Sequence, residues 1–182
     1  MNWSIDMSNQ AIKDIVDLRL QQQINADLNQ LPTGEGWTGW LPSESIVDDT
    51  EIALLEKKLG HLLPNNYKAF LQHKYFNELY IGEASFGCHT HTDWQQKLLA
   101  KVFKGYPQEY LIDKGFIPFA DWSDWGLLCF DTTSKAPDND YPVVLWDHEV
   151  PDEVPDEVSA FAGNFFELML RLDKEEKESW ES

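Results

Sequence analysis

Between Phe116 and Trp146 the apolar pattern of this chain changes from helical to extended, and that change limits the possible folds more than any other feature. Phe116-Ile117-Pro118-Phe119-Ala120, Leu127-Leu128-Cys129-Phe130-Asp131 and Tyr141-Pro142-Val143-Val144-Leu145-Trp146 are three short apolar runs. The first link, Asp121-Trp122-Ser123-Asp124-Trp125-Gly126, is turn chemistry. The second, residues 132–140, is a polar loop. Consecutive strands with links this short pair as an antiparallel meander. Pro118 has no N–H to give a ladder, so an edge or a strand end is expected there.

The flanking segments repeat as helices. From residue 8 to 29, Ile12, Val16, Leu20, Ile24 and Leu28 recur every four positions with Ile15 beside them, and Ser8 is placed to cap. Residues 48–59 form a second helix: Asp48 and Glu51 have capping-box spacing and Gly60 supplies the left-handed stop. Pro64 at a first helical position starts a third, with Tyr67, Phe70 and Leu71 apolar. Residues 79–81 and 84–86 look like short strands, and Asp93 can cap a helix running through Phe103. A last helix is expected over 159–172, with Phe161, Phe165, Leu168, Met169 and Leu172 on one side. Helices flanking a meander place the chain in the α+β class. Three parts are expected. Residues 1–42 are a helix and a Gly/Pro/Trp loop packed on the core, 43–172 the main domain, and 173–182 a charged tail that frays. Trp37 and Trp40 in that loop read as anchors on the core.

Charge narrows the function. Fourteen Lys plus Arg stand against 32 Asp plus Glu, a net charge of -18. Such a surface repels nucleic-acid phosphates and anionic membranes and suits a basic protein partner. Two cysteines, Cys88 and Cys129, make no disulfide framework and fit a reducing compartment. The N-terminus lacks the basic-then-apolar pattern of a signal peptide, and no run reaches the ~20 apolar residues of a membrane helix. Cytoplasmic residence is expected.

Catalytic and cofactor chemistry finds little footing. Cys88, His89, His91 and Asp93 are metal-ligand types, but structural zinc draws on two separated ligand pairs and no second cluster accompanies them. They read as a polar loop with a helix cap, whose two histidines matter little to stability. No Gly-x-Ser-x-Gly elbow surrounds Ser85, and no phosphate-cradling loop follows Gly34, Gly36 or Gly39. No catalytic residue, metal or cofactor is expected. What stands out is the acidity of residues 138–158, with no Lys or Arg among them, and a small Val-Pro-Asp-Glu tandem at 150–153 and 154–157. Upstream, Asp121, Trp122, Asp124 and Trp125 mix carboxylates with large aromatics. A solvated charge run is the plain reading of such a stretch. The functional one is a partner surface of Asp121, Trp122, Asp124, Trp125, Asp147, Glu149, Asp152, Glu153, Asp156 and Glu157, where carboxylates orient a basic partner and tryptophan supplies dry contact area.

Several of these pieces resemble one family in order. Glu51-Ile52-Ala53-Leu54-Leu55-Glu56-Lys57-Lys58-Leu59-Gly60, followed by Leu63-Pro64-Asn65-Asn66-Tyr67-Lys68-Ala69-Phe70-Leu71, is similar to the opening of the SUKH superfamily. That group includes fungal cell-wall regulators of the Smi/Knr type and bacterial immunity proteins. Phe116 to Ala120, Leu128 to Asp131, Tyr141 to Glu149 and the Phe165-Phe166-Glu167-Leu168 helix resemble its later motifs. The resemblance covers residues 47–172, so 43–172 reads as a SUKH-like domain; the first helix lies outside it, and Trp122-Ser123-Asp124-Trp125 departs from the usual turn. It implies a twisted, mainly antiparallel sheet flanked by helices and no known catalytic residues. For bacterial members it implies an immunity protein that binds and neutralises a cognate toxin, often nucleic-acid-active and therefore basic. The alternative it carries is a non-catalytic regulatory scaffold of the cell-wall-regulator type.

Overall fold

In the computed structural model, which describes residues 4–29, 41–87, 89–104, 108–134, 139–147 and 158–181, the extended runs form one antiparallel meander. Its strands are β3 (Leu79–Ile81), β4 (Ala84–Phe86), β5 (Phe116–Trp122), β6 (Gly126–Asp131), β7 (Val143–Asp147) and β8 (Val158–Ala162), hydrogen-bonded in sequence order. A separate two-stranded ribbon pairs β1 (Ser43–Glu44) with β2 (Lys74–Tyr75). Six helices complete the described residues: α1 (Ile5–Asn29), α2 (Asp49–Leu59), α3 (Asn65–Leu71), α4 (Trp94–Phe103), α5 (Gln108–Asp113) and α6 (Phe165–Glu181). The fold is α+β with a mainly antiparallel sheet.

Pro118 sits well inside β5, between two neighbours in the strand order, and two features make it tolerable. On the β4 side β5 pairs only through Asp121 and Trp122, so Pro118 is locally an edge as its missing N–H requires. On the β6 side the register shifts: Pro118 faces Cys129 and Ala120 faces Leu128, leaving Phe119 as an extra residue. Phe119 faces the main core with Ile117 two residues before it, and the bulge turns Ala120 to the same face.

Alternation then sorts the sheet. Ile117, Leu128, Phe130, Val143 and Leu145 face the main core with the helices. Leu127, Cys129, Val144 and Trp146 face the other way, where Leu111 of α5 joins them in a second small cluster. Phe119 and Phe130 stack at 4.1 Å between ring centroids. Tyr67 of α3 lies within 5.8 Å of four rings, those of Phe70, Phe119, Phe130 and Phe165.

The helix ends follow local chemistry. The Asp48 carboxylate accepts from the Glu51 N–H at 2.9 Å and the Glu51 carboxylate accepts from Asp48 N–H, closing the expected capping box. Gly60 stops α2 at φ 76°, a left-handed value cheap only for glycine. The buried Glu56 carboxylate accepts from Leu63 N–H at 2.8 Å and pairs with Lys68 at 2.6 Å, fixing the turn between α2 and α3. Pro64 stands one position earlier than expected, at the N-cap of α3.

Several expectations need correction. α1 starts at Ile5, so Ser8 is not its cap; the buried Ser8 hydroxyl donates to the Ile5 carbonyl at 2.9 Å. The apolar stripe of α1 is buried only through Leu20, and Leu28 is exposed. Residues 159–162, expected to open the last helix, join Val158 in β8: Val158 faces Trp146 and Ala162 faces Val143. Phe161 is therefore a strand residue, and α6 begins at Phe165. The charged end does not fray but stays helical to Glu181. Its anchor is Asp173, which holds Arg19 of α1 in a buried ion pair at 2.6 Å and Lys177 at 2.6 Å. Helix α5 was not expected. Trp37 and Trp40 lie outside the described residues.

His89 also departs from expectation, being 4% exposed. It forms a β-bridge with Phe76, its Nε2 meets the Leu71 carbonyl at 2.7 Å, and its ring packs on Tyr75, Phe76 and Trp94. Burial pulls its pKa down to about 4, against the hydrogen bond it gives to the Leu71 carbonyl, which raises it. It is thus a packed neutral histidine, not a dispensable loop residue.

Two outcomes are expected. Phe70, 3% exposed among aromatic rings, should cost ~3–5 kcal/mol in urea unfolding when replaced by alanine. An unchanged midpoint would contradict the packing of α3. For His89 the unfolded chain binds a proton at pH values where the folded chain does not. Stability is therefore lost as pH falls from 6.5 toward about 4. His89→Gln keeps a donor for Leu71 without titrating. Relative to that variant, the parent should lose on the order of 3 kcal/mol over this window, read from urea curves at successive pH values. Parallel curves would refute a buried neutral His89.

Candidate functional site

Antiparallel register decides which loops of the meander share an end. Trp122 of β5 faces Gly126 of β6, which in turn faces Asp147 of β7. Trp146 faces Val158, and Trp122 faces Ala84 across the other edge. The β5–β6 turn, the last residue of β7, the first of β8 and the β3–β4 turn at Gly82 and Glu83 therefore lie at one end of the sheet. Asp147 and Val158 are also the two strand ends from which residues 148–157 leave and return. Glu149, Asp152, Glu153, Asp156 and Glu157, with His148, lie outside the described residues.

The turn itself is tightly held. Ser123 has φ 50° and donates its N–H to the Glu83 carbonyl at 2.7 Å, tying the β5–β6 turn to the β3–β4 turn. Gly126 has no alternative: a Cβ there would meet the Trp146 carbonyl oxygen at 2.9 Å and Leu145 Cδ1 at 3.0 Å. The side chains divide into packed and presented. Trp122 is half-buried, edge-on to Phe161 at 4.8 Å, and Trp125 is half-buried against the core. Both tryptophans thus do part of the anchoring that a plain core role would give them, and each keeps some exposed surface. Asp121 pairs with Lys101 of α4 at 2.5 Å, which neutralises it. Asp147 is half-buried. Asp124 is exposed and has no ion-pair partner among the described residues.

Glu83, also exposed, is a member of this end that no pattern in the sequence pointed to. Its place depends on the pairing of β4 with Asp121 and Trp122, which is separated from it by more than thirty residues of chain. Glu176 of α6 reaches the same end, where its carboxylate accepts from Gly82 N–H at 2.9 Å. The result is a rim of carboxylates set around two half-buried indoles. Such a surface can orient a cationic partner and exclude water from a small apolar centre.

The other candidates are absorbed by structure. Asp93 stands at the N-cap of α4, but its carboxylate makes no capping bond; it accepts from the Thr90 hydroxyl and pairs with Lys97 at 3.1 Å. Those contacts, the hydroxyl first and the ammonium second, hold its carboxyl below the usual range. The ring of His91 packs edge-on against Tyr75. Among the described residues no group of three or more His, Cys, Asp or Glu is arranged to hold a metal ion, and Cys88 lies outside them. Cys129 is fully buried in the second cluster, where burial pushes its thiol well up, so it packs as a small apolar side chain. Among the described residues no helix is long and apolar enough to cross a membrane.

Comparison with the curated proteins gives no match. The family model of the SMI1 / KNR4 family (SUKH-1) matches residues 46–171, from just before α2 into α6. That span holds the capped helix pair, the whole meander and the sheet end with Glu83, Asp121, Asp124 and Asp147, while α1, Asp173 and Glu176 lie outside it. More than half of the chain is matched, in the order of elements the fold displays, and the chain belongs to the SMI1 / KNR4 family (SUKH-1).

Proposed function

We propose that this protein is an immunity protein that binds a cognate, basic toxin domain of the nucleic-acid-active kind and neutralises it by covering the surface its substrate would use. The family includes toxin-immunity proteins, which supports the class. The observation that carries the reading is the clustering of carboxylates at one sheet end of a chain with a net charge of -18. A toxin that acts on nucleic acid presents cations to phosphate, and an inhibitor with matching negative charge can occupy the same ground without copying the substrate's chemistry. Trp122 and Trp125 are the apolar anchors in this reading. Asp124, Asp147, Glu149, Asp152, Glu153, Asp156 and Glu157 steer the encounter. Asp121 contributes less, because Lys101 already neutralises it. Inhibition of this kind needs no catalytic group and no cofactor in the inhibitor, and it operates in the cytoplasm of the cell that makes the toxin.

The test is kinetic. The protein should form a tight complex with a basic toxin domain encoded beside it, with an association rate that falls steeply as salt rises. Reversing Asp124, Asp152, Glu153, Asp156 and Glu157 to Lys should leave the melting curve close to the parent's, since exposed charges add little to stability. It should slow association by about tenfold or more and change dissociation less. A reversed protein that still binds at the parent's rate and still protects cells would remove the acidic end from the interface.

A further inference from the structure

We propose that a half-open cavity of about 270 Å³ between α3, α4 and the sheet is a binding site for a neutral aromatic group that carries an N–H or O–H donor, of the indole or phenol class. It is distinct from the partner surface and does not rest on it. Its walls are Tyr67, Phe70, Phe86, His89, Trp94 and Phe119, each 4% exposed or less, so the space is built into the core and not left over at the surface. A cavity of about 150 Å³ with apolar walls takes a benzene ring, so one of this size takes a fused two-ring group.

Two polar atoms in the wall say what the occupant must offer. The Tyr67 hydroxyl makes no hydrogen bond with any described residue, although Tyr67 is 3% exposed; burial alone acts on it, raising it far above its ordinary range, so it stays a neutral hydroxyl. The oxygen is not wholly sealed from solvent, so a group entering the cavity can reach it and supply the partner the protein does not. His89 gives its Nε2 proton to the Leu71 carbonyl, which leaves Nδ1 as an acceptor. A donor on an aromatic ring meets an oxygen or a nitrogen that the protein leaves unpaired.

Charge disfavours anionic ligands. Lys97 and Lys101 also line the cavity, but Asp93 lies 3.1 Å from the first ammonium and Asp121 2.5 Å from the second. Glu78 adds a further carboxylate at the wall, which disfavours an anion. What remains is a site walled by ring faces and edges, with one exposed carboxylate at its wall.

The experiment is a titration of the full chain with indole, followed by amide and indole N–H resonances. Saturable, one-to-one shifts at Gly87, Trp94 and Leu98 are expected. Tyr67→Phe removes only the unpartnered hydroxyl, so it should fold as the parent does and bind indole about fivefold more weakly. Toluene, which has no donor, should bind both proteins alike. Leu98→Trp, which fills the cavity from a half-buried position, should abolish both. A second titration with N-acetyltryptophanamide separates sources. Binding of indole alone assigns a free ligand, and binding of both places the natural occupant on a polypeptide. Shifts that never saturate, or equal indole affinity in the parent and Tyr67→Phe, would overturn the site and leave a hydrated cavity only.

Discussion

Five aromatic rings hold this fold together, and the rest of the architecture depends on how they meet. Tyr67 and Phe70 come from α3, Phe119 from β5, Phe130 from β6 and Phe165 from α6. Tyr67 touches the other four. Phe119 shares the core face with Ile117 by simple alternation, and the bulge after Pro118 turns Ala120 to that face as well, opposite Leu128. Without the extra residue Ala120, and not Phe119, would change face. Burial of the Tyr67 ring carries its hydroxyl inward as well, and the cavity beside it explains how a polar atom survives there.

The ends of the chain join the same core by different means. Ile12, Ile15, Val16 and Leu20 of α1 are buried with the family's helices, and Arg19 clasps Asp173 of α6. Gln23 completes the attachment, its carbonyl oxygen accepting from Tyr80 N–H at 3.0 Å beside β3. Both Arg19 and Asp173 fall outside the residues matched by the family model. A buried pair of this kind fixes geometry more than it adds stability, because desolvating two charges offsets much of their attraction. Here it sets how α1 and α6 run past one another at the edge of the sheet.

Local chemistry was legible in the sequence and long-range register was not. The capping box at Asp48 and Glu51, the stop at Gly60 and the three central strands follow from residues close in the chain, and each is present. Residues 159–162 read as helix because Phe161 and Phe165 share a helical spacing; pairing with β7 overrides that spacing, and the ladder decides. His89 looked like a loop residue because nothing local announces its bridge to Phe76 or its bond to Leu71. The same limit governs the candidate site. Asp121, Trp122, Asp124 and Trp125 are visible as an acidic and aromatic turn. That Asp147 lies beside Gly126, that Glu83 joins them and that Lys101 neutralises Asp121 are consequences of strand register and helix packing, which one sequence does not display.

The proposed protein partner would sit on this end of the sheet. Amide hydrogen exchange, compared between the free protein and its complex with the proposed toxin domain, tests this placement. The account predicts added protection in residues 121–126, at Gly82 and Glu83, and across 147–158, with α2 and the β1–β2 ribbon unchanged. Protection confined to α2, α3 or the ribbon, with the sheet end exchanging as in the free protein, would contradict it.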